Sequence, residues 1–181
     1  MSRIISLFII LLISPVLLLT GLFVFLNDGS PIIFKQKRVG LKNKLFLIYK
    51  FRTMKKNTPD IPTHKLDRGI DFNIKIGKFL RKLSIDELPQ LINILKGEMN
   101  FIGPRPALYL QNDLIEIRTA KGIHLIKPGV TGWAQINGRD ELTIKNKIKM
   151  DKYYLDNKSF FLDFKIIFFT IFKVLKSEGV K

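Results

Sequence analysis

The sequence has no cysteine and only two histidines among its 181 residues. The absence of cysteine excludes disulfide bonds, thiol catalysis and thiolate metal sites. The two histidines, His64 and His124, lie far apart in the sequence, and neither has a partner at the spacing typical of metal ligands. We therefore interpret both as ordinary side chains.

Acidic residues are also scarce, since 15 Asp and Glu stand against 31 Lys and Arg and give a formal net charge of +16. Such a charge indicates a polyanionic partner, which is nucleic acid, an anionic membrane surface or a phosphorylated substrate. Hydrophobic residues nevertheless make up 46% of the chain, and fifteen of them are Phe. This combination favours a membrane over nucleic acid. The length suits one domain with a buried core.

A nearly continuous apolar run extends from Ile4 to Leu26. A helix of that length covers about 35 Å and could cross a bilayer. Pro15, in the middle of the run, removes one backbone N–H and breaks or kinks the helix, and Ser14 can bend it further. Two arrangements remain open. The helix either crosses the membrane with a kink or turns at Ser14-Pro15 and returns to the face it entered.

The next segment predicts a small β-hairpin. Residues 32–39 and 44–52 have the pattern of short strands, and Gly40–Asn43 forms the turn between them. Lys50 and Arg52 alternate with aromatic residues, so that one face of the second strand is cationic. Such a face is usually solvated; the alternative is that Lys50 and Arg52 bind substrate phosphate.

Two adjacent carboxylates follow a helix-start signal in the segment Ser84–Leu91. Ser84 and Glu87 match the capping box, in which the two side chains satisfy unpaired N–H groups at a helix start. Asp86 would then only complement the helix dipole. Pro89 conflicts with this interpretation, because its missing N–H is harmless only at the first helical position. In either case we expect the carboxylates at an exposed, irregular helix entrance.

Proline and glycine mark two further segments. Gly103-Pro104-Arg105-Pro106 holds one guanidinium rigidly, which suits bidentate binding of phosphate, although an ordinary turn is the simpler interpretation. Residues 127–139 contain three glycines that permit close approach of the backbone to a ligand. Gln135, Asn137 and Arg139 add alternating polar side chains there. The spacing is not that of a phosphate-binding P-loop.

Asp140-Glu141 is the other adjacent acidic pair in the sequence. It follows Gly138-Arg139 and has the pattern of a helix start with ordinary dipole complementarity. We keep it as the alternative metal site to Asp86-Glu87.

The segment from Phe160 to Lys176 predicts an amphipathic helix rich in Phe. Lys165, Lys173 and Lys176 fall within one stripe at about 100° per residue. The charges of Asp163 and Lys173 and the short length argue against a full membrane crossing. We predict a helix in the bilayer interface with its lysines facing lipid headgroups. Packing in the core of a soluble domain is the alternative.

Four segments together resemble the small monotopic bacterial phosphoglycosyl transferases, the bacterial sugar transferases that begin glycan assembly on polyprenyl phosphate. In order, they are Ser14-Pro15 within an apolar helix, Ser84–Leu91, Gly103–Pro106 and Pro128–Gln135. Each motif is weak alone, whereas the set is specific. The resemblance covers essentially the whole chain. Since the chain shows no additional N-terminal transmembrane domain, we expect it to be the minimal catalytic form.

The resemblance implies that a sugar phosphate passes from a UDP-sugar to undecaprenyl phosphate with release of UMP. It implies that Asp86 is the nucleophile, which forms a covalent aspartyl-phosphosugar intermediate. Glu87, with Asp86 beside it, would hold Mg²⁺, for which Mn²⁺ is a substitute. By analogy the sugar is N-acetylated and 6-deoxy, and the product serves capsule, O-antigen or glycoprotein glycan assembly.

A carboxylate that attacks a diphosphate must approach like charge, and each unit repulsion at about 4 Å costs about 4 kcal/mol at an effective dielectric of about 20. Cations must therefore surround the site. Arg81 and Arg105 are the first candidates. The full set of substrate-binding or phosphate-binding candidates is Lys50, Arg52, Arg81, Arg105, Gln135, Asn137 and Arg139.

The expected fold is α+β and mostly helical. It comprises a re-entrant membrane helix over residues 1–26, a cytoplasmic catalytic domain with the small hairpin over 27–158, and an interfacial amphipathic helix with the C-terminus over 159–181. This arrangement places the protein at the cytoplasmic face of the bacterial inner membrane. Anionic lipids are expected partners and nucleic acid is not; a homodimer is left open.

A function of another class is also open: a membrane-anchored basic protein that binds anionic lipid or nucleic acid without catalysis. The net charge of +16 serves that function equally well. The Asp86-Glu87 pair and the rigid Gly103–Pro106 segment have no role in it, which favours the enzyme.

Overall fold

The computed structural model describes residues 2–59, 71–138 and 142–176. The chain is a mostly helical α+β protein, as predicted. Its described helices are α1 (Ser2–Leu12), α2 (Ser14–Asp28), α3 (Gly77–Lys82), α4 (Gln90–Lys96), α5 (Asn112–Ala120), α6 (Trp133–Ile136), α7 (Ile144–Asp156) and α8 (Phe160–Lys176). Its strands are β1 (Ile33–Val39), β2 (Leu45–Phe51), β3 (Asn100–Ile102), β4 (Ala107–Leu108) and β5 (Gly129–Thr131).

The N-terminal apolar run is broken where Pro15 predicts a break. Its two halves, α1 and α2, are bent by 65°. The Ser14 hydroxyl donates a hydrogen bond of 2.9 Å to the Leu11 carbonyl and so pairs a carbonyl next to the break. Within the ranges described, no unbroken helix is both long and apolar enough to cross a membrane, and only the bent pair taken together meets those two criteria.

Both halves of the broken helix pack on the rest of the protein along one face. Ile9 of α1 and Ile13, at the break, pack against the core cluster that contains Ile94 of α4, and the buried Ser6 hydroxyl donates to the Leu91 carbonyl at 2.7 Å. On α2, Val24 lies in the core. The opposite faces carry exposed apolar side chains, among them Ile4, Phe8, Leu11, Leu12, Leu18, Leu19, Phe23 and Leu26.

The predicted hairpin is confirmed. β1 and β2 pair antiparallel, in a register that runs from Ile33 opposite Phe51 to Val39 opposite Leu45. Lys42 and Asn43 take positive φ values of 52° and 58° in the turn, a conformation that Asn tolerates better than most residues. β4 adds a short third strand on the other side of β1.

A second, parallel pair joins β3 to β5 and brings the two glycine-marked segments together. A Cβ on Gly129 would lie 2.1 Å from the Gly103 nitrogen, and one on Gly132 would lie 2.1 Å from the Gly103 carbonyl oxygen. These glycines therefore allow one backbone segment to pack on another. Backbone packing accounts for glycine at these two positions, and the approach of a ligand there stays a prediction.

α7 and α8 close the structure on the side of α6. The Thr143 hydroxyl caps α7 by accepting from the Asn146 N–H at 3.3 Å. On α8, Ile166 is fully buried and packs with Ile136 and Tyr154. The outer face of α8 exposes the side chains of Phe160, Phe161, Phe164, Phe168, Ile171 and Phe172. The predicted helix with one broad apolar face is thus present.

Candidate active site

Asp86 and Glu87 lie in a 3₁₀ turn, Ile85–Glu87, between α3 and α4. Ser84 precedes the turn in the left-handed region, with φ 55° and ψ 20°, whereas an N-cap residue is normally extended. Helix α4 begins only after Pro89. The prediction of a capping box at Ser84 and Glu87 is therefore wrong. Pro89 does not disrupt a helix, because α4 begins after it. The expected exposure is also wrong: Asp86 is 6% exposed and Glu87 7%.

Glu87 is held by two cations from distant parts of the chain. Its Oε1 accepts from Lys50 Nζ at 2.7 Å and from Arg105 Nη2 at 2.9 Å. The second guanidinium nitrogen, Arg105 Nη1, lies 3.5 Å from Oε2. Burial lowers the pKa of the Lys50 ammonium, and the charge of Glu87 opposes that shift. Both cations were predicted to bind phosphate; the structure pairs them with the acidic residue.

Asp86 lies in an environment that disfavours its ionised form. Burial raises the pKa of its carboxyl above the ordinary value, and the adjacent charge of Glu87 raises it further. The positive charges of Lys50, Arg81 and Arg105 act in the opposite direction. Arg81 therefore belongs to the electrostatic surroundings of Asp86, and its guanidinium also lies 3.9 Å from the Met54 sulfur.

The rigid segment Gly103–Pro106 holds Arg105 in place. The Gly103 N–H donates to the Thr131 carbonyl at 2.9 Å, and the Pro104 carbonyl accepts from the Gly129 N–H at 3.0 Å. The Arg105 carbonyl accepts from Arg118 Nη1 at 2.9 Å. The prolines, the two backbone hydrogen bonds and the bond from the Arg118 side chain fix the position from which the Arg105 side chain reaches Glu87.

Arg118 belongs to a second buried ion pair that sequence reasoning missed. Its Nε and Nη2 both donate to Asp151 Oδ2 on α7, and the two residues are 8% and 2% exposed. Burial raises the pKa of the Asp151 carboxyl, and Arg118 opposes the shift. The only signal in the sequence is the position of Asp151 among the lysines of α7, a helix that also contains Asp156. That signal does not identify the partner.

The remaining predicted site residues lie elsewhere. Arg52 is buried, donates to the Asp28 and Gly29 carbonyls at 2.8 Å each and forms a 3.0 Å ion pair with Asp28, so it fastens the end of α2 to the sheet. Asn137 is exposed and donates to the Trp133 carbonyl. Arg139 and the rival pair Asp140-Glu141 lie outside the described residues.

A cavity of about 220 Å³ opens beside the acidic turn. One part of its wall is polar and contains Ser84, Glu87, Arg105, Gln135 and the lysines Lys82 and Lys173. The other part is apolar and contains Ile9, Leu88, Leu91, Phe101, Val130, Ile136 and Val174. Within the described chain Asp86 is not part of the lining; its neighbour Glu87 is. The side-chain oxygen and nitrogen of Gln135 are both buried without a hydrogen-bond partner among the described residues.

The predicted contacts with lipid headgroups require the lysines of α8 to face away from the protein. Two of these lysines face the protein instead. The Lys165 ammonium lies 5.5 Å from the centre of the Trp133 ring, and Lys173 lines the cavity. Trp133 also stacks on Tyr153 of α7, with ring centroids 5.3 Å apart. The lysine stripe therefore faces α6 and the cavity at these two positions.

These features define a class of protein in which buried carboxylates and fixed cations adjoin a half-apolar cavity between helices with exposed apolar faces. A family model described as bacterial sugar transferase matches residues 1–177. The chain belongs to the bacterial sugar transferase family.

Individual relatives agree with this assignment. The sugar transferase EpsL of Bacillus subtilis is 46% identical over 97% of this chain and 86% of the relative. The UDP-glucose:undecaprenyl-phosphate glucose-1-phosphate transferase of Escherichia coli is 41% identical over 91% of this chain. An N-acetylgalactosaminephosphotransferase of Aeromonas hydrophila that acts on undecaprenyl phosphate is 39% identical over 94%. The chain spans only 37% and 41% of the length of these last two relatives.

Proposed function

We propose that this protein transfers a sugar-1-phosphate from a UDP-sugar to undecaprenyl phosphate and releases UMP. The observation that carries the proposal is the buried Asp86-Glu87 pair, which is compensated by Lys50 and Arg105 at the edge of a half-apolar cavity. The names of the relatives above support the two substrates. A relative in Rhizobium meliloti that is named as an exopolysaccharide production protein supports a role in surface polysaccharide assembly.

In the proposed reaction the Asp86 carboxylate attacks the phosphorus that bears the sugar. The bond from this phosphorus to the UMP oxygen breaks, and UMP leaves with the electron pair. An oxygen of the lipid phosphate then attacks the same phosphorus, the bond to Asp86 breaks, and the lipid diphosphosugar forms. Covalent catalysis of this kind divides one transfer between two anionic substrates into two easier steps.

The environment of Asp86 supports its role as the nucleophile. Desolvation makes a carboxylate more reactive toward phosphorus because it loses the water that stabilises its charge. Three cations favour the ionised form of this carboxyl, namely Lys50, Arg81 and Arg105. The same cations would offset the charge of the incoming diphosphate.

The residues present fit a Mg²⁺ ion that takes its other ligands from the substrate. No group of three or more His, Asp or Glu is arranged for a metal anywhere in the described ranges, but Mg²⁺ sites in phosphate chemistry often use one or two carboxylates with substrate oxygens and water. We propose that Glu87, with Asp86 beside it, would hold this ion. When bound, the ion would neutralise charge that develops on the phosphate oxygens.

We further propose that α1 and α2 form a re-entrant membrane helix at the cytoplasmic face of the inner membrane. Both ends of the pair contact the same domain: Arg3 reaches the Lys96 carbonyl at 3.5 Å, and Asp28 is bound by Arg52. A helix that crossed the bilayer would separate those two ends. The exposed apolar faces of α1, α2 and α8 would lie in the lipid, with anionic headgroups near the cationic surface.

The donor experiment tests the proposed function. Purified protein in lipid nanodiscs is incubated with Mg²⁺, undecaprenyl phosphate and a panel of UDP-sugars. The panel includes glucose, galactose, N-acetylated sugars and N-acetylated 6-deoxy sugars, the last being our first expectation. With the correct donor, UMP release should depend on the lipid, and donor alone should add a sugar-phosphate mass to the peptide that contains Asp86. No UMP release from any donor contradicts the proposal.

Cysteine labelling tests re-entry, because the natural chain contains no cysteine. Single cysteines at Ser2, the first residue of α1, and at Ser30, just beyond the end of α2, should react with an impermeant reagent from the same side of the membrane. Labelling from opposite sides would show a crossing helix.

A further inference from the structure

Lys173 is the cationic residue that α8 contributes to the cavity beside Glu87. It is half-buried, unlike Lys165 and Lys176 on the same helix, which are exposed. The Thr170 hydroxyl, one turn earlier, is hydrogen-bonded to the Thr131 hydroxyl at 2.7 Å. This contact and the buried Ile166 fix which face of α8 is turned inward. One helix thus directs an ammonium into the cavity and an aromatic face outward.

The charge on the cavity wall leaves positive charge for a ligand. Glu87 is the one carboxylate in the described lining, and Lys50 and Arg105 already contact it. Lys82 and Lys173 add two ammonium groups, and neither forms a salt bridge with any residue that the structure describes. The buried Nε2 of Gln135, which lacks a partner within those ranges, is a further donor on this wall. A phosphate group would satisfy these donors.

The rest of the wall is suited to hydrocarbon. Ile9 comes from α1, Leu88 and Leu91 from the acidic turn and α4, and Val174 from α8. α1 and α8 also carry the exposed apolar faces, so the cavity lies between the elements that would meet the lipid. Its volume of about 220 Å³ is below the about 300–1,000 Å³ of pockets that enclose whole drug-sized ligands. It has room for the head of a long-chain lipid.

We propose that this cavity binds the phosphate end of the lipid acceptor and that Lys173 is a ligand of that phosphate. The apolar wall would hold the first carbons of the prenyl chain, while Gln135 and Lys82 would add polar contacts. This inference rests on the proposed function and assigns one subsite of it. A nucleotide sugar carries phosphate but no hydrocarbon chain, so the apolar half of the wall favours the lipid over the donor.

The test compares Lys173→Gln with Lys176→Gln, a matched loss of charge one turn away on the exposed surface of α8. Full-length protein in nanodiscs is titrated with farnesyl phosphate, with farnesol and with inorganic phosphate, and steady-state kinetics are measured for donor and lipid. We expect Lys173→Gln to weaken farnesyl phosphate binding and to raise the KM for undecaprenyl phosphate, each about tenfold. The KM for the UDP-sugar should not change, and Lys173→Arg should restore most of the affinity.

Several results would overturn the inference. Equal losses in Lys173→Gln and Lys176→Gln would show a general effect of charge at the membrane. Inorganic phosphate that competes as well as farnesyl phosphate would show a site for phosphate from any source. Unchanged lipid binding and KM in Lys173→Gln, with normal UMP release, would refute the lipid subsite alone. Binding of farnesyl phosphate that depends on Lys173, without UMP release from any donor, would support the subsite and contradict the proposed function.

Discussion

Two buried acidic residues, Glu87 and Asp151, lie against arginine in different parts of this molecule. Asp151 pairs with Arg118 between α5 and α7, where both nitrogens of the guanidinium edge reach one carboxylate oxygen. Glu87 shares Lys50 and Arg105 with a second carboxylate, Asp86, its neighbour in the chain. Burial raises the pKa of both Asp86 and Asp151. A buried acid with a raised pKa is therefore not by itself a functional residue.

The two clusters differ in their neighbours and in their access to a ligand. Glu87 lines a cavity and Asp86 has a like charge beside it, so the cations there hold two acids close together. The Arg118–Asp151 pair has a supporting role, because Arg118 also donates to the carbonyl of Arg105. One buried cluster thus positions a residue of the other. The following predictions test this division.

Asp86→Asn should have the largest effect, and its effects on turnover and on stability should have opposite signs. Loss of the nucleophile should reduce UMP release at least about a thousandfold. The pKa of Asp86 is raised in the folded state, so ionisation of this carboxyl opposes folding. The protonated carboxyl stabilises the fold fully below the ordinary pKa of aspartate, and this stability is lost as pH rises through the raised pKa. At neutral pH the amide should therefore raise the melting temperature by about 2–4 °C.

Glu87→Gln is the control for that stability effect. It leaves the half-buried Lys50 and Arg105 without the carboxylate that they contact, so it should lower the melting temperature. Thermal unfolding of both variants in the same detergent measures the two shifts. A lower melting temperature for Asp86→Asn would mean that the ionised carboxyl stabilises the fold, and the electrostatic account of the cluster would then be wrong.

Local patterns in the sequence predicted the elements whose cause is local. Pro15 breaks the first helix, the alternation of residues 32–52 gives the hairpin, and the apolar period after Ser159 gives α8. The acidic pair was also identified, although as an exposed helix entrance. Its burial depends on packing by β2 and the Gly103–Pro106 segment, which the sequence around Asp86 does not encode.

Contacts between distant segments could not be predicted in the same way. Lys50 and Arg52 are two residues apart and were predicted on one face of the second strand. In the structure Lys50 contacts Glu87, whereas Arg52 contacts the end of α2. Alternation defines the face of a strand but not the partner that packs against each position. For the same reason the pairing of Arg118 with Asp151 was missed, since it depends on how α5 and α7 pack.

Asp151→Asn should have an intermediate effect, mainly on stability. It leaves the Arg118 guanidinium buried without a charge partner, which typically costs about 3–5 kcal/mol of unfolding free energy. The double variant Arg118→Met with Asp151→Leu replaces the pair by apolar side chains and should recover most of that loss. Because the Arg105 carbonyl then lacks its donor, turnover should remain about tenfold low.

Chemical unfolding and UMP release measured on the same preparations separate the two effects. If the double variant recovers turnover together with stability, Arg118 does not position Arg105. If Asp151→Asn is as stable as the natural chain, the pair is not a structural cluster, and the contrast with Glu87 fails.

The pH dependence of the first half-reaction should give the smallest effect and the sharpest comparison. The ionised Asp86 is the attacking form, so UMP release should decline as pH falls through the raised pKa, at a higher pH than for an ordinary aspartate. Glu87 raises this pKa and Lys50 lowers it. Glu87→Gln should therefore move the acid limb to lower pH, and Lys50→Gln should move it to higher pH.

Single-turnover UMP release across a buffer series measures the acid limb of each variant, with folded protein confirmed at every pH by its near-ultraviolet spectrum. Asp151 serves as the internal comparison, because its pKa is also raised but its carboxyl lies in the separate ion pair with Arg118. The double variant Arg118→Met with Asp151→Leu should leave the position of the limb unchanged while lowering its height. Two results would assign the titration to a group other than Asp86. One is a shift of the acid limb in the Arg118→Met, Asp151→Leu double variant, and the other is a shift in the same direction in Glu87→Gln and Lys50→Gln.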